Sequence, residues 1–315
     1  EPPTLVRQSR LVKPISGMMK LLGTVPGYRE FDVSVPFMIA LPLFTAMLVS
    51  DGGYGLFLML APLVFFKAVS GMMGKAFTKL LIVIGAARLG WGFLCGSFFG
   101  VLLYDPPVPV DLTDSSRRLL MNISFTIGVI HLSVAQLWQA VRYWPDLRFL
   151  AKVGWAVFVW GMYGVVRFFV LGGPMGWDTP WPVLLIVGAS LAILFHQPSR
   201  NVPLMVALGL ANFPLSMLSA FSDIISYVRL MAVGLAGSVL ATSFNEIALG
   251  MSNRPVMILI LVFGHALNVG LVLIAMFAHG VRLNMLEFAN NLGMQWTGYP
   301  YEPFAEATAQ ERQGS

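Results

Sequence analysis

The chain has 315 residues, of which 57% are hydrophobic and only 11% are charged. Soluble domains carry about 25% charged residues, so this composition excludes an ordinary water-soluble fold. The net charge is +5, but the basic residues are scattered among the flanks of apolar segments, which argues against nucleic-acid binding. The single cysteine, Cys95, excludes a disulfide framework and a cysteine-based metal cluster.

Eight hydrophobic segments follow one another along the chain and predict an all-α polytopic membrane protein. The first two segments are short and are separated by Ser50-Asp51-Gly52-Gly53, so they could form one broken pair with Asp51 as a structural turn residue. The stretch 201–216 contains Pro203 and Pro214 and is predicted to be interfacial. The segments cover about 35–49, 54–66, 79–104, 119–141, 151–171, 181–195, 217–249 and 255–289.

The lysines and arginines predict how these segments are oriented. If the N-terminus is cytoplasmic, 13 of the 20 basic residues lie on the cytoplasmic side and only Arg117, Arg118 and Arg254 lie in outer loops. Basic residues prefer the cytoplasmic side, so we expect eight transmembrane helices with both termini cytoplasmic. The predicted divisions are a cytoplasmic linker over 1–34, a six-helix membrane subdomain over 35–196, an interfacial stretch over 197–216, two long helices over 217–289, and a cytoplasmic tail over 290–315 that is disordered from about 305.

Four arginines lie inside the hydrophobic segments: Arg88, Arg167, Arg229 and Arg282. A charged side chain at the centre of a bilayer costs about 2.5–3.5 kcal/mol on insertion scales, so each needs a physical reason. Arg88 and Arg167 lie away from the middle of their segments. We expect them to be structural, either snorkelling to the membrane surface or pairing with an acid.

Arg229 lies near the middle of a predicted span from about Leu215 to Leu249. On a helix, Asp223 is about 9 Å away along the axis and on another face, and Glu246 is about 25 Å away. A carboxylate that pairs with Arg229 must therefore come from outside its own helix. Small residues along one face would let another helix approach closely. The face holds Ser222, Ser226, Arg229, Val233, Ala236 and Gly237, widened by Gly234, Ser238, Ala241 and Thr242.

The last segment carries a second polar face, which is typical of a helix that lines water or an ion path. Its residues recur at three- and four-residue steps: His265, Asn268, Val272, Ala275, His279 and Arg282. These histidines lack the spacing of a zinc site. Together with His131 and His196 they lie in different segments without a shared spacing, which argues against a membrane-bound enzyme.

Two stretches resemble the membrane domain of subunit a, also called subunit I, of V-type and A-type rotary ATPases. They are SDIISYVRLMAVGLAGSVLATSFNEIA (222–248) and GHALNVGLVLIAMFAHGVRLNMLEF (264–288). The N-terminal stretches 3–23 and 31–57 are similar to the family as well, and so is GYPYEPF (298–304). The resemblance therefore covers nearly the whole chain.

The resemblance implies a stationary subunit beside a rotating ring of proteolipids, in which each ring subunit carries a membrane-buried carboxylate. Two tilted C-terminal helices would face the ring, and two offset half-channels would connect its carboxylates to opposite sides of the membrane. The other implied partners are membrane lipids and, through an N-terminal soluble half, peripheral-stalk and central-stalk subunits. The expected location is the plasma membrane of a prokaryote. The chain would transport H⁺ or Na⁺ with no cofactor or metal and no catalytic activity of its own, and it lacks the GxxxxGK[ST] loop that binds nucleotide phosphates.

By this resemblance Arg229 would be the essential arginine and Arg282 its companion on the last helix. Ser216 and Val272 stand where family members often carry glutamates of the outer half-channel, and Gly237 stands where some carry a histidine. One alternative stays open, in which a secondary transporter or channel uses Arg229 and Arg282 to bind an anionic substrate. The predicted channel-lining residues are Ser222, Asp223, Ser226, Glu246, His265, Asn268, His279 and Glu287.

Overall fold

A computed structural model of the protein describes residues 3–6, 8–198, 201–299 and 301. The predicted disordered end of the tail, 305–315, lies outside these residues. So do Arg7, Arg200 and Arg312, three of the basic residues used to predict sidedness.

The described residues form helices joined by short connections, with one small β-hairpin. The hairpin consists of β1 (Ser97–Phe98) and β2 (Val101–Leu102), which pair antiparallel. The last helix changes character, since α11 continues as two π-helical segments, Met276–Val281 and Leu283–Phe288, and ends in α12 (Ala289–Asn291). The remaining helices are α1 (Ile15–Leu22), α2 (Ser34–Met47), α3 (Gly52–Val64), α4 (Phe66–Met73), α5 (Lys75–Cys95), α6 (Asp114–Tyr143), α7 (Arg148–Leu171), α8 (Trp181–Leu194), α9 (Val202–Ser226), α10 (Val228–Leu249) and α11 (Arg254–Ala275).

Five of the described helices are long and apolar enough to cross a membrane: α5, α6, α7, the 47-residue stretch Pro203–Leu249 and the 38-residue stretch Arg254–Asn291. Helices α3 and α4 form a sixth candidate that is bent by 90°, and α2 and α8 are shorter apolar helices. The all-α class is therefore confirmed in outline, whereas the count of eight spans, their sidedness and the predicted domain divisions stay predictions. The stretch 201–216 is helical from Val202 as the first part of α9.

Glycines allow α3 and α5 to pack unusually closely. A Cβ atom added to Gly92 of α5 would lie 2.1 Å from the Cα atom of Gly52, and one added to Gly85 would lie 2.4 Å from the backbone nitrogen of Met59. Real Cβ atoms do not approach a backbone this closely, so the two helices can cross here only because side chains are missing. Small residues at helix crossings are the usual way to pack helices tightly in a membrane.

Asp51 joins the break between α2 and α3 to the hairpin. Its carboxylate caps α3 by accepting a hydrogen bond from the backbone N–H of Gly53 at 2.8 Å. It also accepts hydrogen bonds from the hydroxyl of Ser97 and from the backbone N–H groups of Phe99 and Gly100, at 2.8–2.9 Å. This agrees with the predicted structural role of Asp51. The hairpin itself was not predicted, because the apolar run 79–104 reads as one continuous helix.

The hairpin and the α2–α3 break together form a wall against α10. The side chain of Asn245 donates to the carbonyl of Phe99 at 2.7 Å, and the hydroxyl of Thr242 donates to the carbonyl of Gly100 at 3.2 Å. At Gly234, an added Cβ atom would lie 2.3 Å from the carbonyl oxygen of Met47. Thus the close neighbour of this part of the small-residue face belongs to the same chain.

Arg88 differs from the prediction. We expected it to snorkel or to pair with an acid, but its side chain is buried and only 1% exposed. Its Nε donates to the carbonyl of Thr45 near the end of α2 at 3.0 Å, and no carboxylate of the described residues pairs with it. Arg167 instead lies over the rings of Tyr163 and Trp181, 5.6 and 5.9 Å from their centroids, a cation–π arrangement.

Replacing Asp51 with alanine should destabilise the fold. The change removes a helix cap and leaves several buried N–H groups without an acceptor, so we expect a loss of about 2–4 kcal/mol in the free energy of unfolding. Thermal unfolding of the purified protein in detergent would measure this loss. The matched control is Asp105→Ala, an exposed aspartate soon after the hairpin, which should change the stability by less than about 0.5 kcal/mol. Equal losses in the two variants would contradict the assigned role of Asp51.

Candidate functional site

The site is built around a break between α9 and α10. Helix α9 ends at Ser226 and α10 begins at Val228, with Tyr227 between them. Tyr227 keeps helical backbone angles and its N–H bonds to the carbonyl of Ile224, three residues earlier, so the break is a single 3₁₀-like turn within one long apolar stretch. The Nε of Arg229 donates to the carbonyl oxygen of Ser226 at 2.9 Å. Side chains that bond to backbone carbonyls in this way are a known cause of helix kinks.

The π-helical segments of the last helix change which residues face inward. A π-helix closes its turns with i→i+5 bonds instead of i→i+4 bonds, so it rotates all later residues relative to an α-helix. Glu287 is thereby buried, whereas Arg282 is exposed. Arg282, at the end of the predicted polar face, lies on the outer side of the chain, and its role stays a prediction. The described residues give Arg282 no hydrogen bond and no ion pair.

Arg229 forms an ion pair with Glu287. The Nη2 atom of Arg229 lies 2.5 Å from Oε1 of Glu287. The side chain of Arg229 is 21% exposed and that of Glu287 is 5% exposed, so the pair lies at the edge of the interior. The prediction that the acid comes from outside the arginine's own helix is confirmed. That acid belongs to the same chain and was predicted only as a channel-lining residue.

Further polar side chains extend this pair into what we call the Arg229 cluster: Asp223, Arg229, Glu287, Asn291 and Gln136. The side-chain amide of Asn291 donates at 2.7 Å both to the Asp223 carboxylate and to the Glu287 backbone carbonyl. Gln136 of α6 donates to the Asn291 side-chain oxygen at 2.9 Å. One carboxylate oxygen of Glu287 and the amide oxygen of Gln136 are buried without a partner among the described residues. Such oxygens commonly accept hydrogen bonds from water.

A second group, the Tyr54 cluster, contains Tyr54, His265 and Asn268. The Tyr54 hydroxyl lies 2.7 Å from Nδ1 of His265 and accepts a hydrogen bond from the Asn268 amide at 3.0 Å. That amide also donates to the backbone carbonyl of Gly237. Asn268 and Tyr54 are buried, whereas His265 is half-buried. The cluster thus runs from a partly open imidazole to a buried amide.

An apolar stretch separates the two clusters. Arg229 and Gly237 are eight residues apart on α10, about 12 Å along the axis. Every side chain between them on α10 is apolar, as is every side chain over 269–278 of the last helix. Val272 and Ala275 in that stretch are buried. The described residues therefore place polar groups in two separate regions rather than in one continuous file.

Of the remaining predicted residues, His279 lies within electrostatic range of both Arg229 and Arg282 and is half-buried in the first π-helical segment. Ser222 and Glu246 are exposed. Ser226 contributes its backbone carbonyl and no side-chain contact to Arg229. Sequence reasoning missed Tyr54, Gln136 and Asn291, which lie outside the two faces that it considered. Only Asn291, one helical turn beyond Glu287, was within reach of spacing arguments.

Replacing Glu287 with glutamine should destabilise the fold, because the Arg229 guanidinium then loses its counter-charge. Since Arg229 is partly exposed, we expect a modest loss of about 1–3 kcal/mol in the free energy of unfolding. The same substitution at the exposed Glu246 is the matched control. A double-mutant cycle with Arg229→Gln, followed by thermal unfolding, would isolate the contribution of the pair. Strictly additive losses would contradict the interaction.

Known proteins provide an independent comparison. No protein-family model matches the chain. The V-type ATP synthase subunit I of Borreliella burgdorferi is 31% identical over 331 residues, which cover 96% of this chain and 54% of that protein. The V-type ATP synthase subunit I 1 of Treponema pallidum is 33% identical over 96% of this chain and 52% of its own length.

An archaeal relative, the A-type ATP synthase subunit I of Archaeoglobus fulgidus, is 25% identical over 96% of this chain and 53% of its own length. The chain thus spans about half the length of the curated relatives that it matches. The sequence resemblance and these matches agree along almost the whole chain. The chain belongs to the subunit I, or subunit a, family of V-type and A-type ATP synthases.

Proposed function

We propose that the chain is the stationary ion-path subunit of a rotary ATPase and that Arg229 acts on the carboxylates of a rotating proteolipid ring. The observation that carries the proposal is the position of Arg229. Its guanidinium is held from within by Glu287 and the Ser226 carbonyl, yet 21% of its side chain stays exposed. A charge so placed can reach a carboxylate that passes outside the chain.

The outer surface beside Arg229 supports the same proposal. Ser222 and Ala236 of the predicted small-residue face are exposed, and Ser226, Val233 and Gly237 are half-buried. This strip flanks the guanidinium, and its small side chains would let a neighbouring helix come close. The buried part of the face, around Gly234 and Ala241, packs within the chain and keeps α10 in place.

Electrostatics explains why an arginine suits this role. A guanidinium stays protonated in any protein environment, so its positive charge is permanent. A deprotonated ring carboxylate about 4 Å away would gain on the order of 4 kcal/mol at an effective dielectric constant near 20. Glu287 competes for the same charge and thereby limits how tightly the ring carboxylate is held. A ring site must be released as well as bound, so a moderated interaction favours turnover.

The two clusters are suited to serve as two half-channels. Asp223 and Glu287 of the Arg229 cluster would exchange ions with the predicted cytoplasmic side, and His265 and Asn268 of the Tyr54 cluster with the outer side. The apolar stretch between them would keep an ion from passing directly, so the route must go through the ring. Asn268 donates to the backbone carbonyl of Gly237 and lies one helical turn before Val272, one of the two positions where family members often carry a glutamate of the outer half-channel.

The transported ion would be H⁺ or Na⁺, because the selecting carboxylate belongs to the ring. The membrane potential supplies about 2.3 kcal/mol per charge per 100 mV to ions that move down it. ATP hydrolysis elsewhere in the complex would drive the ions in the opposite direction. The remaining proposed partners are the stalk subunits and membrane lipids. The anion-transporter alternative would place its substrate on Arg229 and Arg282; of these two, Arg229 already has a counter-charge from Glu287 within the chain.

Replacing Arg229 with alanine should abolish ATP-driven ion uptake by membrane vesicles that carry the complete complex. Assembly should persist, because Arg229 lies at the edge of the fold and its loss removes one hydrogen bond and one ion pair. Ion uptake would be followed with a fluorescent indicator, and assembly by co-purification of the proteolipid ring. Arg254→Ala removes an exposed arginine at the start of α11 and should leave uptake unchanged.

Normal uptake by the assembled Arg229→Ala complex would overturn the proposed function. Anion flux through liposomes that contain this chain alone would instead support the transporter alternative. The two results are distinguishable, because only the second proceeds without the ring and without ATP.

A further inference from the structure

His131 is a buried histidine that the proposed ion path does not use. It lies on α6 and is 8% exposed, whereas His265 and His279 are half-buried. Its imidazole contacts three aromatic side chains: Phe44 of α2, edge to face at 4.9 Å between centroids, and Tyr227 and Phe288. Tyr227 stands two positions before Arg229, and Phe288 directly follows Glu287. One side chain on a third helix thus contacts a residue close in sequence to each member of the ion pair.

The contact with Tyr227 is a hydrogen bond. Nδ1 of His131 lies 2.7 Å from the Tyr227 hydroxyl, and both side chains are buried. The tyrosine ring rests on Gly128, one turn earlier on α6, where an added Cβ atom would lie 2.5 Å from the ring. Tyr227 is the residue at which α9 and α10 separate. The bond therefore fixes the helix break from which Arg229 projects.

The contact with Phe288 is a stacked pair of rings. The centroids of His131 and Phe288 lie 4.4 Å apart with an interplanar angle of 19°. Phe288 is fully buried at the end of the second π-helical segment. Stacking against a rigid imidazole restricts how this segment can rotate about its axis, and the same segment carries Glu287 directly before Phe288.

Packing alone does not account for a histidine at this position. Whichever tautomer is present, Nδ1 serves the Tyr227 hydroxyl and Nε2 is left buried without a partner among the described residues. A buried nitrogen without a partner is unfavourable, and a phenylalanine would fill the same space without that cost. What the imidazole adds over a phenylalanine is its directed bond to Tyr227.

We propose that His131 is a positioning residue that sets the geometry of the Arg229–Glu287 pair through Tyr227 and Phe288. The inference rests on the proposed function of Arg229, and it assigns a second role to α6, which also contributes Gln136 to the Arg229 cluster. Helix α6 then acts as a fixed support on which the two ion-path helices are aligned with each other.

The test uses Tyr227→Phe and His131→Phe in the complete complex, each of which deletes the hydrogen bond and keeps an aromatic ring. We expect each variant to assemble and to move about 2- to 10-fold fewer ions per ATP hydrolysed, the range that corresponds to one buried hydrogen bond. Combining the two substitutions should cost no more than either alone, because both remove the same bond. In a Glu287→Gln background Tyr227→Phe should have little further effect.

The matched control is Tyr163→Phe. It deletes another buried tyrosine hydroxyl of the bundle, which bonds to Thr126 and Asn122 of α6 at 2.8 Å, and it should leave the ratio of ions to ATP unchanged. An unchanged ratio in both test variants would overturn the proposal, as would additive losses in the double variant. Loss of assembly in both would assign the bond to folding and would also overturn it. Arg229→Ala is measured in the same assay. If it abolishes ion uptake while both test variants behave normally, the role of His131 fails and the proposed function of Arg229 stands.

Discussion

The fold around the site follows from the cost of placing a guanidinium inside an apolar bundle. An arginine in such a place needs acceptors for its hydrogen bonds and an opposite charge close by. Arg229 has a carbonyl that the break after Ser226 leaves free and a carboxylate that the π-helical segments turn inward. Both acceptors lie where the helical geometry changes, at the Tyr227 turn and in the second π-helical segment. The local departures from helical geometry are therefore part of the site.

These departures also explain why the polar groups are separated into two clusters. The regular parts of α10 and of the last helix carry apolar side chains toward each other, and the polar groups collect where regularity ends. The Arg229 cluster surrounds the Tyr227 break, and the Tyr54 cluster lies beside the α2–α3 break at Asp51. Interrupted helices provide free backbone groups and space for water, which suits ion sites within membranes.

Much of the architecture could be predicted from hydrophobic runs, because burial in lipid requires long apolar helices. The need of Arg229 for an acid from another helix also followed from simple helical distances. The identity of that acid could not be predicted, because the π-helical segments move Glu287 and Arg282 to faces that α-helical spacing does not give. The apolar run 79–104 has the pattern of one continuous helix. In the structure the helix ends before Gly96, whose backbone is left-handed, and a single glycine in an apolar run does not by itself predict a turn. The burial of Arg88 depends on Thr45 in a distant helix, which a single sequence does not reveal.

The wall against which α10 packs has a consequence for the order in which the protein is made. Its contacts on the α2–α3 break and the hairpin, such as Met47, Phe99 and Gly100, all precede α10 in the chain. Helix α10 therefore meets a surface that has already been synthesised when it leaves the ribosome. Glu287, in contrast, is made 58 residues after Arg229. During that interval the arginine has its Ser226 carbonyl but not its acid, so the ion pair is completed only when the last helix is inserted.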